Sequence, residues 1–134
     1  MQIISAAERL AEKRGHKIVV AGKSGVGKTS LVRTLEMDRT LFMDLEAGDA
    51  AIEGCEVDVI RPRTWQEWRD FACFLGGGNP ALSDDSPYSM AHYEYVCQMY
   101  GDPEAVLQKY DTIFIDSITV AGRLCFTHNQ NQQK

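Results

Sequence analysis

The octapeptide Gly22-Lys23-Ser24-Gly25-Val26-Gly27-Lys28-Thr29 constrains this chain more than any other feature. It fits the pattern G-x-x-x-x-G-K-[ST], in which each fixed position has a separate job around a nucleotide triphosphate. Glycines let the backbone turn tightly with its N–H groups pointing inward, and a helix N-terminus closes the anion-binding nest. Lys28 is placed to reach the β- and γ-phosphate oxygens, and the Thr29 hydroxyl to ligate Mg²⁺. Ser30 opens the helix that follows and completes the phosphate-lining set from Gly22 to Ser30. An apolar strand, Lys17-Ile18-Val19-Val20-Ala21, is expected before the loop and a helix from Ser30 to Glu36 after it. The alternative is a glycine-rich turn that binds nothing, but the flanking pattern favours a nucleotide.

The 134 residues suffice for one domain, 1–134, with a core that needs no disulfide or metal staple. No apolar stretch approaches a membrane span, so no membrane partner is expected. The segment Met1–Arg14 carries Glu8 and Glu12 and lacks the layout of a secretory signal, so a cytoplasmic location follows. Cys55, Cys73, Cys97 and Cys125 form no C-x-x-C pair, which argues for buried free thiols rather than zinc or a disulfide framework. His16, His92 and His128 are scattered and are not read as ligands or bases. A net charge of -5 argues against a strong nonspecific nucleic-acid surface. Arg61, Arg63 and Arg69 are read as solvated side chains near a helix start.

Strand and helix patterns alternate along the chain. Ser5-Ala6-Ala7-Glu8 is a capping box opening a short helix. The helix after the loop is expected to reach about Met37. A second strand covers Thr40–Leu45 and a third, shorter one Val57–Ile60, ending at Pro62. Trp65, Trp68, Phe71, Ala72 and Leu75 recur at helical spacing and are read as core, with Gly76-Gly77-Gly78 as the stop. Residues 76–87 are expected to be a flexible loop. Helices follow over about Tyr88–Tyr100 and from Pro103, then a strand over Tyr110–Ser117 and a helix from Ile118 to about Phe126. The polar tail, 127–134, is expected to fray. The result is an α/β fold with a mostly parallel sheet and the ligand beyond the strands' carboxyl ends.

A phosphate loop needs a partner acid at the end of an apolar strand to hold the Mg²⁺ shell. Asp116, closing Thr112-Ile113-Phe114-Ile115, has that form; its alternative is an N-cap on the following helix. Hydrolysis also needs a group to orient water. Glu46, just past Leu45, is the candidate catalytic carboxylate beside Lys28, against the alternative of a solvent-facing loop acid. Asp44 is expected to point to the opposite face of its strand, and Asp49 is a weaker candidate.

Together the phosphate loop, a strand ending in Asp-Leu-Glu-Ala-Gly and a strand ending in Ile-Asp-Ser resemble the RecA-like P-loop ATPases. More narrowly, the chain resembles phage-encoded ATP-binding (AAA domain) proteins of the recombination and single-strand-annealing group. The resemblance spans about 17–125. It implies ATP and Mg²⁺ as cofactors, Glu46 as catalytic glutamate, and Asp116-Ser117 as the end of the Walker B strand. It further implies single-stranded DNA as a partner of the full-length family, a homo-oligomer, and a phage or prophage protein in a bacterial host.

In RecA-like domains the strand following Walker B lies between the phosphate-loop strand and the Walker B strand. Here no apolar strand follows Asp116, so the core is expected to be incomplete after that point. A truncated gene, a fragment, or a sheet that pairs Lys17–Ala21 directly beside Thr112–Asp116 would each fit. Weakened or absent hydrolysis is expected, so a nucleotide-binding remnant without turnover stands as the alternative. Asn-Lys-x-Asp and Asp-x-x-Gly motifs are absent, against a GTPase. A P-loop small-molecule or nucleotide kinase would clamp phosphates with lid arginines, and residues 70–110 contain none.

Overall fold

The computed structural model describes residues 3–12, 15–46 and 51–132. Asp49 therefore lies outside the described residues, as do the last two residues of the polar tail.

Three parallel strands form the sheet: β1 (Thr40–Asp44), β2 (Asp58–Ile60) and β3 (Thr112–Asp116), in the order β2-β1-β3. All five residues of β1 are buried, as befits a central strand covered on both faces. Leu41, Met43 and Leu45 face a cluster built by α2 (Trp65–Gly76), α3 (Met90–Tyr100) and α5 (Ile118–Gln132), through Phe71, Phe74, Val96 and Ala121. Phe42 faces the other way, with Val32, Ile52 and Val57, and stacks on Phe114 at a centroid separation of 5.5 Å. The strict alternation along β1 places successive side chains on opposite faces, so the strand belongs to two cores at once.

Helix starts follow the local chemistry. Ser5 and Glu8 form the expected capping box of α1 (Ala6–Ala11), and Thr64 and Glu67 form a second one at α2. Pro103 opens α4 (Pro103–Lys109) from the N-cap Asp102. The last helix passes Phe126 and runs to Gln132, helped by Asn129 and Gln132 side chains bonded one turn back to Cys125 and His128. No helix among the described residues is long and apolar enough to cross a membrane.

One strand expectation fails. Lys17–Ala21 joins no ladder, and Ile18, Val19 and Val20 are 82%, 80% and 51% exposed. Pairing of this segment beside β3 is thereby overturned. A strand exists only where a neighbour takes its N–H and C=O groups. Within the sheet β3 pairs only with β1, and its Ile113 and Ile115 remain 40% and 43% exposed. The α/β class holds, with a sheet smaller than the sequence pattern suggests.

Residues 77–89 form a turn held by hydrogen bonds. The Asn79 N–H donates to Tyr88 O at 2.7 Å, the Asn79 side chain caps Ala81, and buried Ser89 donates to Asp84 O. Tyr88, at φ 66°, donates its N–H to His92 Nδ1 at 2.9 Å. The other ring nitrogen must then carry the proton and donate to Asp70 Oδ1, also at 2.9 Å. His92 is a strut between α2 and α3. Burial pushes the Cys73 thiol above its ordinary range, and the Asp70 carboxylate adds to the shift, so this cysteine packs rather than reacts.

Candidate functional site

The loop owes its shape to two glycines: Gly25 at φ 80° and Gly27 at φ 90° occupy the left-handed region that side chains resist. Lys28 folds back over the loop, its ammonium donating to Gly22 O and Lys23 O, each at 2.9 Å. Phosphate oxygens would have to replace these two carbonyls as acceptors. Lys23, Ser24 and Val26 are exposed along the rim, while Lys28 and Thr29 are half-buried.

The helix that follows is shorter than expected. Thr29–Thr34 is a 3-10 helix carrying Ser30 in its first turn, and Leu35 is already extended. Thr29, Val32 and Thr34 are β-branched, which costs helix stability, and the Thr34 hydroxyl takes the Leu31 carbonyl for itself. Val32, fully buried, anchors this turn to the Phe42 face of the sheet.

The tertiary fold brings the loop and the strand ends together. Thr29 Oγ1 donates to Asp116 Oδ2, across 87 positions of sequence. Asp116 is 7% exposed at the end of β3. Glu46 lies just beyond β1 and is exposed, and its Oε1 accepts from the Ser117 hydroxyl. The Leu45 N–H donates to Asp116 O at 2.7 Å and locks the two strand ends side by side. Thr29, Asp116 and, through Ser117, Glu46 thus meet at the carboxyl edge of the sheet, while the Lys28 ammonium folds back onto its own loop.

Asp44 corrects the sequence reading. It is the register partner of Asp116, and in-register residues of parallel strands share a face. It does not point away from the site. Its carboxylate is 1% exposed and accepts from Arg61 Nε at 3.2 Å. Arg61, the residue after β2, stays partly solvated but also reaches Asp44.

Among the described residues, no group of three or more His, Cys, Asp or Glu side chains gathers as a metal cage. Thr29 and Asp116 instead present one hydroxyl and one carboxylate. Such hard oxygen donors suit Mg²⁺, which keeps several waters and takes the rest of its shell from substrate phosphates. The residues present fit that ion.

A family model described as an AAA domain matches residues 14–134. No curated protein and no solved structure matches the chain.

Proposed function

Because the chain belongs to the AAA-domain family, we propose that it binds ATP with Mg²⁺ at Gly22–Ser30 and that Lys28, Glu46 and Asp116 serve hydrolysis. The Thr29–Asp116 hydrogen bond carries this reading, because it couples the phosphate loop to an acid at the end of a parallel strand. Lys28 would offset phosphate charge, and Thr29 with Asp116 would hold Mg²⁺, which supplies charge neutralisation between the phosphate oxygens when bound. Glu46, exposed beside them, would accept a hydrogen bond from the attacking water. By family resemblance we assign the activity to DNA recombination or single-strand annealing, with single-stranded DNA as partner, a homo-oligomeric assembly, and a phage-encoded origin in the bacterial cytoplasm.

A second reading, nucleotide binding without turnover, is favoured by one observation. The segment that delivers the phosphate loop, 17–21, stands outside the sheet, so among the described residues the sheet braces the loop through Thr29. Binding of labelled ATP, competed by GTP and repeated on Lys28→Ala, tests the site: loss of binding in the variant is the expected result. Turnover with and without single-stranded DNA then separates the readings. Mg²⁺-dependent hydrolysis that disappears in Glu46→Gln would eliminate binding without turnover.

A further inference from the structure

Glu46 and Ser117 differ sharply in how they are held. Glu46 is exposed and lies past the end of β1. A glutamate so placed samples many rotamers unless a partner selects one. Ser117 is fixed on both sides. Before it, Asp116 is buried, is bonded through its carbonyl to Leu45 N–H, and receives the Thr29 hydroxyl. After it, the Ser117 carbonyl accepts from Val120 and Ala121 N–H at 3.1 and 3.2 Å, and Ala121 is packed in the core. From this frame the Ser117 hydroxyl donates to Glu46 Oε1.

We propose that Ser117 is the positioning residue of Glu46: its hydroxyl fixes the carboxylate over the mouth of the phosphate loop. A single hydroxyl donor occupies one carboxylate oxygen and leaves Oε2 free to accept from a water. The direction of support runs from the rigid junction of β3 and α5 to the loosely held acid. One strand end thereby serves two groups, Asp116 for the phosphate loop and Ser117 for the water-orienting side. The proposal rests on the ATP reading above.

The test measures affinity rather than turnover. Fluorescently labelled ADP is titrated with Mg²⁺, alone and with aluminium fluoride, which mimics the γ-phosphoryl group in flight. Wild type is expected to bind ADP and to bind tighter with fluoride. Ser117→Ala should keep its ADP affinity and lose about 10-fold of the fluoride-dependent tightening. Ser117→Thr, which keeps the hydroxyl, should recover it. In a Glu46→Gln background, Ser117→Ala should cost nothing further, because it acts through that carboxylate. The proposal is overturned if Ser117→Ala matches wild type, if it weakens ADP alone equally, if Thr fails to rescue, if its cost persists with Glu46→Gln, or if wild type shows no tightening. Wild type that fails to bind ADP at all, or binds it equally well as Lys28→Ala, defeats the ATP reading itself and this proposal with it.

Discussion

Asp44 and Asp116 stand side by side at the carboxyl ends of β1 and β3, both buried, and each is engaged by a different neighbour. Asp116 receives the Thr29 hydroxyl and Asp44 the Arg61 guanidinium. Two buried carboxylates this close repel unless something offsets the charge. Arg61 on one side, and Mg²⁺ on the other in the proposed function, divide that task between them.

Replacing Arg61 with Met removes the offset from Asp44. The arginine is 44% exposed, so solvent already weakens the pair, and the expected loss of stability is about 1–2 kcal/mol. Arg61→Met combined with Asp44→Asn should cost less than the sum of the two single changes, since the neutral amide needs no cation. Urea unfolding of the four proteins measures the difference.

Thr29→Ala deletes the hydroxyl that joins the phosphate loop to Asp116. Nucleotide affinity should become nearly independent of Mg²⁺ and fall about 10-fold at saturating metal, in line with losing one bond to a charged group. Isothermal titration with and without EDTA reads both effects. Thr29→Ser, which keeps the oxygen, should behave like wild type.

Two exposed ion pairs tie the opposite end of the sheet. Arg39 holds Asp111 through two hydrogen bonds, and Lys109 with the Tyr110 hydroxyl holds Asp58 at 2.7 and 2.6 Å. The Arg39 hydrogen bond keeps the Asp111 carboxyl below its ordinary range, and Lys109 does the same for Asp58. A depressed folded value means the folded state resists protonation. The contribution is therefore complete above the unfolded value, about pH 4, and lost as pH falls through the folded one. Melting temperature should drop more steeply below about pH 4 in wild type than in Asp111→Asn.

Gly78 has no room for a side chain. A Cβ there would lie 2.9 Å from the Ser89 carbonyl oxygen, Met90 Sδ and Tyr93 Cβ. Met90 can swing aside, but the backbone oxygen cannot. Gly78→Ala should destabilise by about 1–3 kcal/mol and loosen the turn at Ser89. Hydrogen exchange at the Asn79 and Tyr93 amides would show it, whereas Gly76→Ala, with open space around it, should change packing little.

What could be read from the residues alone is what depends on neighbours in sequence. Capping boxes, helical spacing in Trp65–Leu75, Pro103 as a helix start and the glycine pattern of the phosphate loop are short-range chemistry, and the structure carries each in place. The Thr64–Glu67 box was equally legible in its spacing. Arg61's choice of Asp44 was not, because nothing local distinguishes it from Arg63.

Pairing belongs to the tertiary structure. Lys17–Ala21 and Thr112–Asp116 look alike as apolar runs, yet one is a strand and the other is left exposed. Among the described residues β3 is taken up by β1, whereas Lys17–Ala21 joins no ladder even though the outer edge of β3 is open, so pairing is not contained in any local window. By contrast, sequence alone determined the glycine-built turn at Gly22–Thr29, with Gly25 and Gly27 at positive φ. Only the tertiary structure decided the rest: the register of β1 with β3 sets Asp44 beside Asp116, and packing of the Thr29–Thr34 turn on the Phe42 face brings Thr29 to Asp116. A one-residue slip in that register would have put Asp44 and Asp116 on opposite faces of the sheet.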